Sequence, residues 1–330
     1  MRILSGIKPT GGLTLGNYIG ALKPWVDSQH VGENFYMIAD LHAITVPQDP
    51  KGMHDATFEL TAAYIAAGLD VKKHVFFVQS SVPAHAELGW LLTCQARMGW
   101  LNRMTQFKDK AGKDRESVGA GLYAYPALMA ADILLYKATH VPVGDDQKQH
   151  VELTRDVAIS FNQQFGEVFV VPEPVIAKEG ARVKSLRDGT KKMSKSDASD
   201  ASRINMDDTA DLIADKIKRA KTDTGVIPES TSGFEGRPEV QNLVEIYAVL
   251  SGQTTQQVLD RHAGDGFAPF KNALADVVVN AVVPIGNRMK ELMADRAHLQ
   301  GILAAGRDKA SAVADKTLHA AQDAMGFVRL

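Results

Sequence analysis

Arg2-Ile3-Leu4-Ser5, followed by Gly6-Ile7-Lys8-Pro9-Thr10-Gly11-Gly12 and then Leu13-Thr14-Leu15-Gly16-Asn17-Tyr18-Ile19-Gly20-Ala21-Leu22, is the stretch that decides the fold class. The first four residues read as a strand, the glycine-rich segment as a loop and the last segment as a helix. Glycines let the backbone approach a ligand closely, and the N–H groups that open a helix can receive a phosphate. An ordinary strand-to-helix connection has the same composition, so the stretch alone sets the element order and leaves the ligand open.

Working outward, Asn34 to Asp40 and His74 to Ser80 are short apolar runs rich in aromatic and branched residues, as buried parallel strands are. Asp55 to Leu69 lies between them with helical apolar spacing, and Ala84 to Met98 follows with the same spacing. This alternation predicts an α/β, doubly wound parallel-sheet (Rossmann-like) domain with ligands at the carboxyl ends of the strands. His42 stands just past the second strand, where a site residue or a structural histidine is equally expected. Arg103 to Ser117 carries Lys108, Lys110, Lys113 and Arg115 and reads as a mobile loop over the site or a solvated one. Gly119 to Ala124 matches a dinucleotide fingerprint in spacing, but charged, loop-like sequence precedes it where the fingerprint requires a strand, so the match is rejected.

Tyr125 to Tyr136 predicts a buried helix with Pro126 in its first turn, and helical spacing puts Tyr125, Met129, Asp132 and Tyr136 on one face. A carboxylate on that wall is costly unless something donates to it. Asp132 therefore either pairs within the fold or accepts a hydrogen bond from an aromatic ligand. Thr139 to Val143 reads as a brief strand ending at Gly144-Asp145-Asp146-Gln147, and a helix runs from Gln147 through Asp156. The paired aspartates suit ribose or amine recognition as well as a metal. Val168 to Val171 reads as a last strand, broken by Pro172 and Pro174.

Arg182, Lys184, Arg187, Lys191, Lys192 and Lys195 then crowd around Lys192-Met193-Ser194-Lys195-Ser196. Two lysine ammoniums on one loop can follow negative charge as it moves from a bound to a departing phosphate, although most basic runs are solvated surface. Past Ser196 the chain becomes helical and alanine-containing, which divides it into 1–196 and a smaller all-helical 197–330. Helices are expected over 240–250, 255–262, 270–293 with a kink at Pro284, and 296–325, the last packing back on the first domain.

A chain of 330 residues with 45% hydrophobic content can bury large cores, and its formal charge of -2 argues against nucleic-acid binding over the whole surface while allowing local basic footprints such as Lys216, Lys218, Arg219 and Lys221. One cysteine, Cys94, excludes an intrachain disulfide framework and all-cysteine zinc or iron–sulfur sites. The N-terminus is too short in apolar residues for a secretory signal, and no later apolar run reads as long enough to span a bilayer, so a cytoplasmic protein without membrane contact is expected.

With these places read, the chain resembles the class I aminoacyl-tRNA synthetases, and within them the bacterial tryptophanyl branch, over essentially its whole length. Thr14-Leu15-Gly16-Asn17 corresponds to the family's His-Ile-Gly-His motif, and Lys192 to Ser196 carries its Lys-Met-Ser-Lys-Ser motif unaltered. The resemblance implies ATP with Mg2+, L-tryptophan and tryptophan tRNA as partners, a homodimer formed through an insertion in the first domain, no zinc or iron–sulfur cluster, and anticodon recognition by the helical domain. It places ATP on Lys8, Pro9, Thr10, Gly16, Asn17, Gly144, Asp145, Asp146, Val183, Lys192, Met193, Ser194, Lys195 and Ser196. Thr14, Asn17, Lys110, Lys192, Ser194 and Lys195 would serve the chemistry. Asp132 would accept the indole N–H, with Leu4, Gly6, Met129, Ile133, Val141 and Val143 around the ring and Tyr125, Gln147 and His42 at the amino-acid end. Two positions depart from the branch: Lys8 replaces a glutamine common in relatives, and Leu4 replaces a common phenyl ring.

Overall fold

Five parallel strands form one sheet in the order β3-β2-β1-β4-β5, with β1 at Arg2–Ile7, β2 at Glu33–Ile38, β3 at Val75–Val78, β4 at His140–Val143 and β5 at Glu173–Ile176. The computed structural model describes residues 1–105, 118–144, 147–176, 182–195 and 197–329, and only the backbone of 174–176. Phe35, Tyr36, Met37 and Ile38 are all buried, as a central parallel strand covered on both faces requires. Their side chains alternate between two cores: Phe35 and Met37 join Leu4, Phe77, Leu88 and Ile133, while Tyr36 and Ile38 join Leu15, Ile19 and Tyr64.

This is the doubly wound, Rossmann-like order, and the winding reverses between β1 and β4. Pairing across that seam is confined to Ile3 opposite His140. Pro142, two residues on, has no N–H to continue the ladder, which leaves the carboxyl ends of β1 and β4 apart. The glycine-rich loop after β1 and the loop beginning at Gly144 therefore leave the sheet on either side of a crevice.

The last strand departs from the sequence reading. The fifth strand is Glu173–Ile176 rather than Val168 to Val171, and it contains Pro174, which had been expected to break it. It pairs with β4 alone, and an edge strand tolerates proline because one side of its ladder is unused. Phe169 instead packs under the helix Lys148–Phe165, 4.7 Å from the ring of Phe161. The helix bearing Asp132 also begins earlier than expected, at Gly121, which places Pro126 inside it.

After residue 197 the described elements are helical, the longest being Phe267–Ala294 and Arg296–Ala324. Phe267–Ala294 is long and apolar enough to cross a membrane by length and composition, contrary to the sequence expectation. Here Phe270, Leu274, Val278 and Val282 fill the core shared with Leu15, Ile204 and Val244, so packing accounts for its apolarity. The final helix gives Leu299 to that core and Ala310, Ala314 and Leu318 to the other, passing over β3. A Cβ at Gly306 would overlap the Phe76 carbonyl oxygen, so glycine allows helix and edge strand to meet backbone to backbone. That contact also covers an edge that would otherwise be open to pairing.

Candidate active site

Two loops separated in sequence by most of the sheet lie against each other beside the crevice. Residues 183–185 and 191–193 form a short antiparallel pair in which Met193 N–H donates to the Val183 carbonyl (3.0 Å) and Ser185 N–H to that of Lys191 (2.8 Å). Val183 and Met193 are buried in the core that holds Leu15 and Ile19, which fastens the base of the loop and leaves Lys192 exposed. A Cβ at Gly16 would lie 3.5 Å from that of Met193 and 3.8 Å from that of Val183. The bare glycine thus brings the first motif onto the second. Met193, expected at the nucleotide, is the packing anchor of its loop.

Thr14 is likewise buried and occupied. Its backbone N–H and hydroxyl both donate to Asn17 Oδ1, at 3.1 and 3.0 Å, and its hydroxyl accepts from the Asn17 N–H at 3.4 Å. This reciprocal cap fixes where the helix starts. Residues 13–15 also pair with 204–206, through Leu15 N–H to the Ile204 carbonyl (2.8 Å) and Met206 N–H to that of Leu13 (2.9 Å). Lys216, only 3% exposed, holds the exposed Asp200 and the buried Asp208 at 2.7 Å each, so ion pairs to a buried lysine brace the segment that follows the lysine loop.

Lys195 is half-buried, and its Nζ reaches the Gly11 carbonyl at 3.4 Å. Burial pushes its pKa below the usual lysine value. Among the described residues it has no carboxylate partner, so a desolvated cation faces the glycine-rich loop and an incoming anion would relieve it. Lys8 lies 5.8 Å over the Tyr125 ring on the same side of the crevice. Lys110, Asp145, Asp146 and Ser196 fall outside the described residues, and Ser194 is half-buried beside Lys195.

The other wall is built by the helix Gly121–Leu135. Leu4, Ile133 and Val141 are buried in one cluster, with the partly buried Met129 and Val143 against it, so strands β1 and β4 and this helix bring all five together. Asp132, 2% exposed, is met by three donors: His42 Nε2 at 2.6 Å on Oδ2, and Gln79 Nε2 at 2.7 Å and His85 Nδ1 at 2.6 Å on Oδ1. Burial favours the neutral acid, but the charge of His42 and the hydrogen bonds from His42 and His85 outweigh it and hold the Asp132 pKa below the ordinary carboxylate range. Tyr125 bonds His150 Nε2 through its hydroxyl at 2.7 Å and meets His42 edge-on at 6.0 Å. Gly144 and Gln147 close the β4 side, linked by the Gln147 N–H to the Gly144 carbonyl at 2.9 Å.

Sequence reasoning did not anticipate Gln79, His85 or His150. The signal for the first two was chemical: a buried carboxylate needs donors, and Gln79 directly follows β3 while His85 lies in the first turn of the helix Ala84–Gln95.

A family model described as tRNA synthetases class I (W and Y) matches residues 1–282. The chain belongs to that family. The synthetase is 54% identical over 328 residues to a tryptophan–tRNA ligase of Caulobacter vibrioides, covering 99% of this chain and 95% of that protein. It is 50% identical over 333 residues to one from Synechocystis, covering 99% and 98%. Among solved structures, tryptophanyl-tRNA synthetase from Mycoplasma pneumoniae superposes with a TM-score of 0.87 at 36% identity over 99% of this chain and 98% of that one. The enzyme from Campylobacter jejuni, complexed with ADP and tryptophan, gives 0.83 at 34% identity over 99% and 100%. In this synthetase the paired motif loops and the Asp132 wall flank the same crevice.

Proposed function

We propose that this synthetase activates L-tryptophan with ATP to tryptophanyl-adenylate and pyrophosphate, then transfers tryptophan to the terminal ribose of its tRNA. The observation that carries this reading is the direct contact between the two motif loops, which sets Lys195 against the glycine-rich loop at the sheet's switch point. The substrate carboxylate attacks the α-phosphorus, the bond to the β-phosphate oxygen breaks, and pyrophosphate leaves. No protein nucleophile is required, so catalysis rests on alignment and on stabilising the charge that accumulates on the leaving group. Lys192, Lys195 and the Ser194 N–H take that charge, while Pro9, Thr10, Gly16 and Gly144 line the nucleotide's path. Lys110, Asp145, Asp146 and Ser196 join them by family likeness.

Among the described residues no group of three or more histidine, cysteine or acidic side chains could hold a metal. The donors on the phosphate side are ammoniums and N–H groups. Mg2+ arriving with ATP would be held by phosphate oxygens and water, as is usual where a nucleotide supplies the charge. Tryptophan lies against Met129, Val143 and the covered wall behind them, its indole N–H on Asp132 and its polar end toward Tyr125, Gln147 and Lys8. The helical part from 197 onward reads the tRNA anticodon, and the protein works in the cytoplasm. Charging of tryptophan tRNA with labelled tryptophan tests the reading. Stable labelled tRNA is expected, and charging with tyrosine instead would overturn it.

The same reading includes a homodimer. Trp90, on the helix Ala84–Gln95, is 68% exposed, Met98 64% and Ile159 41%. Arg97 stacks 4.9 Å over the Trp100 ring in the same region. Large exposed apolar side chains of this kind are candidates for an interface. Trp90→Glu combined with Met98→Glu is expected to halve the mass measured by analytical ultracentrifugation at micromolar concentration. An unchanged mass would place the interface elsewhere.

A further inference from the structure

We propose that His85 is a positioning residue for amino-acid selection: held from behind by Tyr136, it fixes the Asp132 carboxylate so that one lone pair of Oδ2 stays open for the substrate's indole N–H. The inference rests on the reading of Asp132 given above and deepens it.

An ionised carboxylate offers about four lone-pair sites and can only accept. Oδ1 already takes Gln79 Nε2 and His85 Nδ1, while Oδ2 takes His42 Nε2 alone among the described residues. Three sites are filled, and the fourth is on Oδ2. The same rule sets the protons: His85 must carry hydrogen on Nδ1 and His42 on Nε2. With Nδ1 donating to Asp132, Nε2 is the ring nitrogen left for the Tyr136 hydroxyl, which lies 2.7 Å away. Burial, with the Asp132 charge behind it, pushes the Tyr136 phenol well above its usual pKa, so the hydroxyl keeps the proton that it would donate to that nitrogen. Gln79 must point its amide nitrogen at Oδ1, and its Oε1 is buried without a partner among the described residues.

The donor chain thus runs in one direction, from Tyr136 through His85 to Asp132. His85 is fully buried, 5.7 Å from the Phe77 ring and 5.5 Å from Tyr136, so it reaches the substrate only through the carboxylate. Without its Nδ1–H, Oδ1 would recover an open lone pair of its own. Nothing would then hold the vacancy on Oδ2, and the geometric basis for demanding an indole N–H would be lost.

The test uses the full chain and pyrophosphate exchange with tryptophan and phenylalanine, comparing His85→Leu, His85→Asn, Tyr136→Phe and Asp132→Ala with the parent. Because a hydrogen bond to a charged group is removed, His85→Leu is expected to raise KM for tryptophan about 10- to 100-fold. Its kcat at saturating tryptophan and its KM for ATP should stay within about threefold. His85→Asn, whose amide nitrogen can stand where Nδ1 stood, should recover most of the loss. Tyr136→Phe should raise KM for tryptophan roughly 3- to 10-fold by removing a single neutral hydrogen bond. Nitrogen-15 spectra of the parent should show the Nδ1–H form of His85.

Equal damage from the Leu and Asn variants would reveal a packing role and overturn the proposal, as would the opposite tautomer. Should His85→Leu not fold, Tyr136→Phe decides, and an unchanged KM for tryptophan overturns the proposal. If Asp132→Ala leaves selection between tryptophan and phenylalanine intact, the indole reading itself falls. If Asp132→Ala abolishes that selection while His85→Leu preserves it, only the role of His85 falls.

Discussion

Lys195→Ala is expected to slow tryptophan-dependent pyrophosphate exchange about 10²- to 10³-fold, the loss typical of removing one donor aimed at developing charge. Tryptophan affinity, measured by calorimetry without ATP, should stay within about twofold, because an interaction made at the phosphates contributes to the transition state rather than to amino-acid binding. The architecture separates the two effects. Lys195 rides on a loop anchored through Val183 and Met193 in the core on one face of the sheet, whereas Asp132 lies in the core on the other. The burial that depresses the Lys195 pKa also makes its ammonium responsive to an arriving phosphate. A variant that exchanged pyrophosphate normally but bound tryptophan poorly would show that the motif's role has been misplaced.

Asp132→Ala is the second change with a large expected effect. A site built to hydrogen-bond a substrate N–H rejects the analogue lacking it by roughly 10⁴ to 10⁵, because the buried acceptor is otherwise left unpaired. The parent should exclude phenylalanine to that degree without an editing step, and Asp132→Ala should reduce the ratio of kcat/KM values for tryptophan over phenylalanine by about two orders of magnitude or more. The substitution also strands His42, Gln79 and His85, so the variant will be less stable. The ratio is insensitive to that loss, since both substrates are tested on the same folded fraction. An unchanged ratio would remove Asp132 from amino-acid selection.

The order of strands and helices was legible in sequence because parallel strands buried on both faces are continuous apolar runs, as Phe35 to Ile38 and Val75 to Val78 are. The fifth strand was misread for a physical reason: Pro174 is excluded from a central ladder but not from an edge, and which strand lies at the edge is a tertiary fact. At the site, residue types revealed chemistry more readily than contacts. Asp132 on an apolar helix announced a demand for donors, but that Gln79 and His85 answer it depends on β3 lying two strands away from β1. Of the two readings offered for Asp132, pairing within the fold is observed, and it leaves over the one lone pair that the proposed indole contact would use. Thr14 and Met193 carry motif positions yet spend their side chains on capping and packing, which sequence spacing cannot distinguish from ligand contact.

On the proposed function, the two loops and the Asp132 wall form one site for activating tryptophan with ATP. The most direct measurement is exchange of labelled pyrophosphate into ATP by the parent protein, with each amino acid supplied in turn. Exchange should depend on tryptophan and be absent with tyrosine or phenylalanine. Exchange driven by tyrosine, or none with any amino acid, would contradict it.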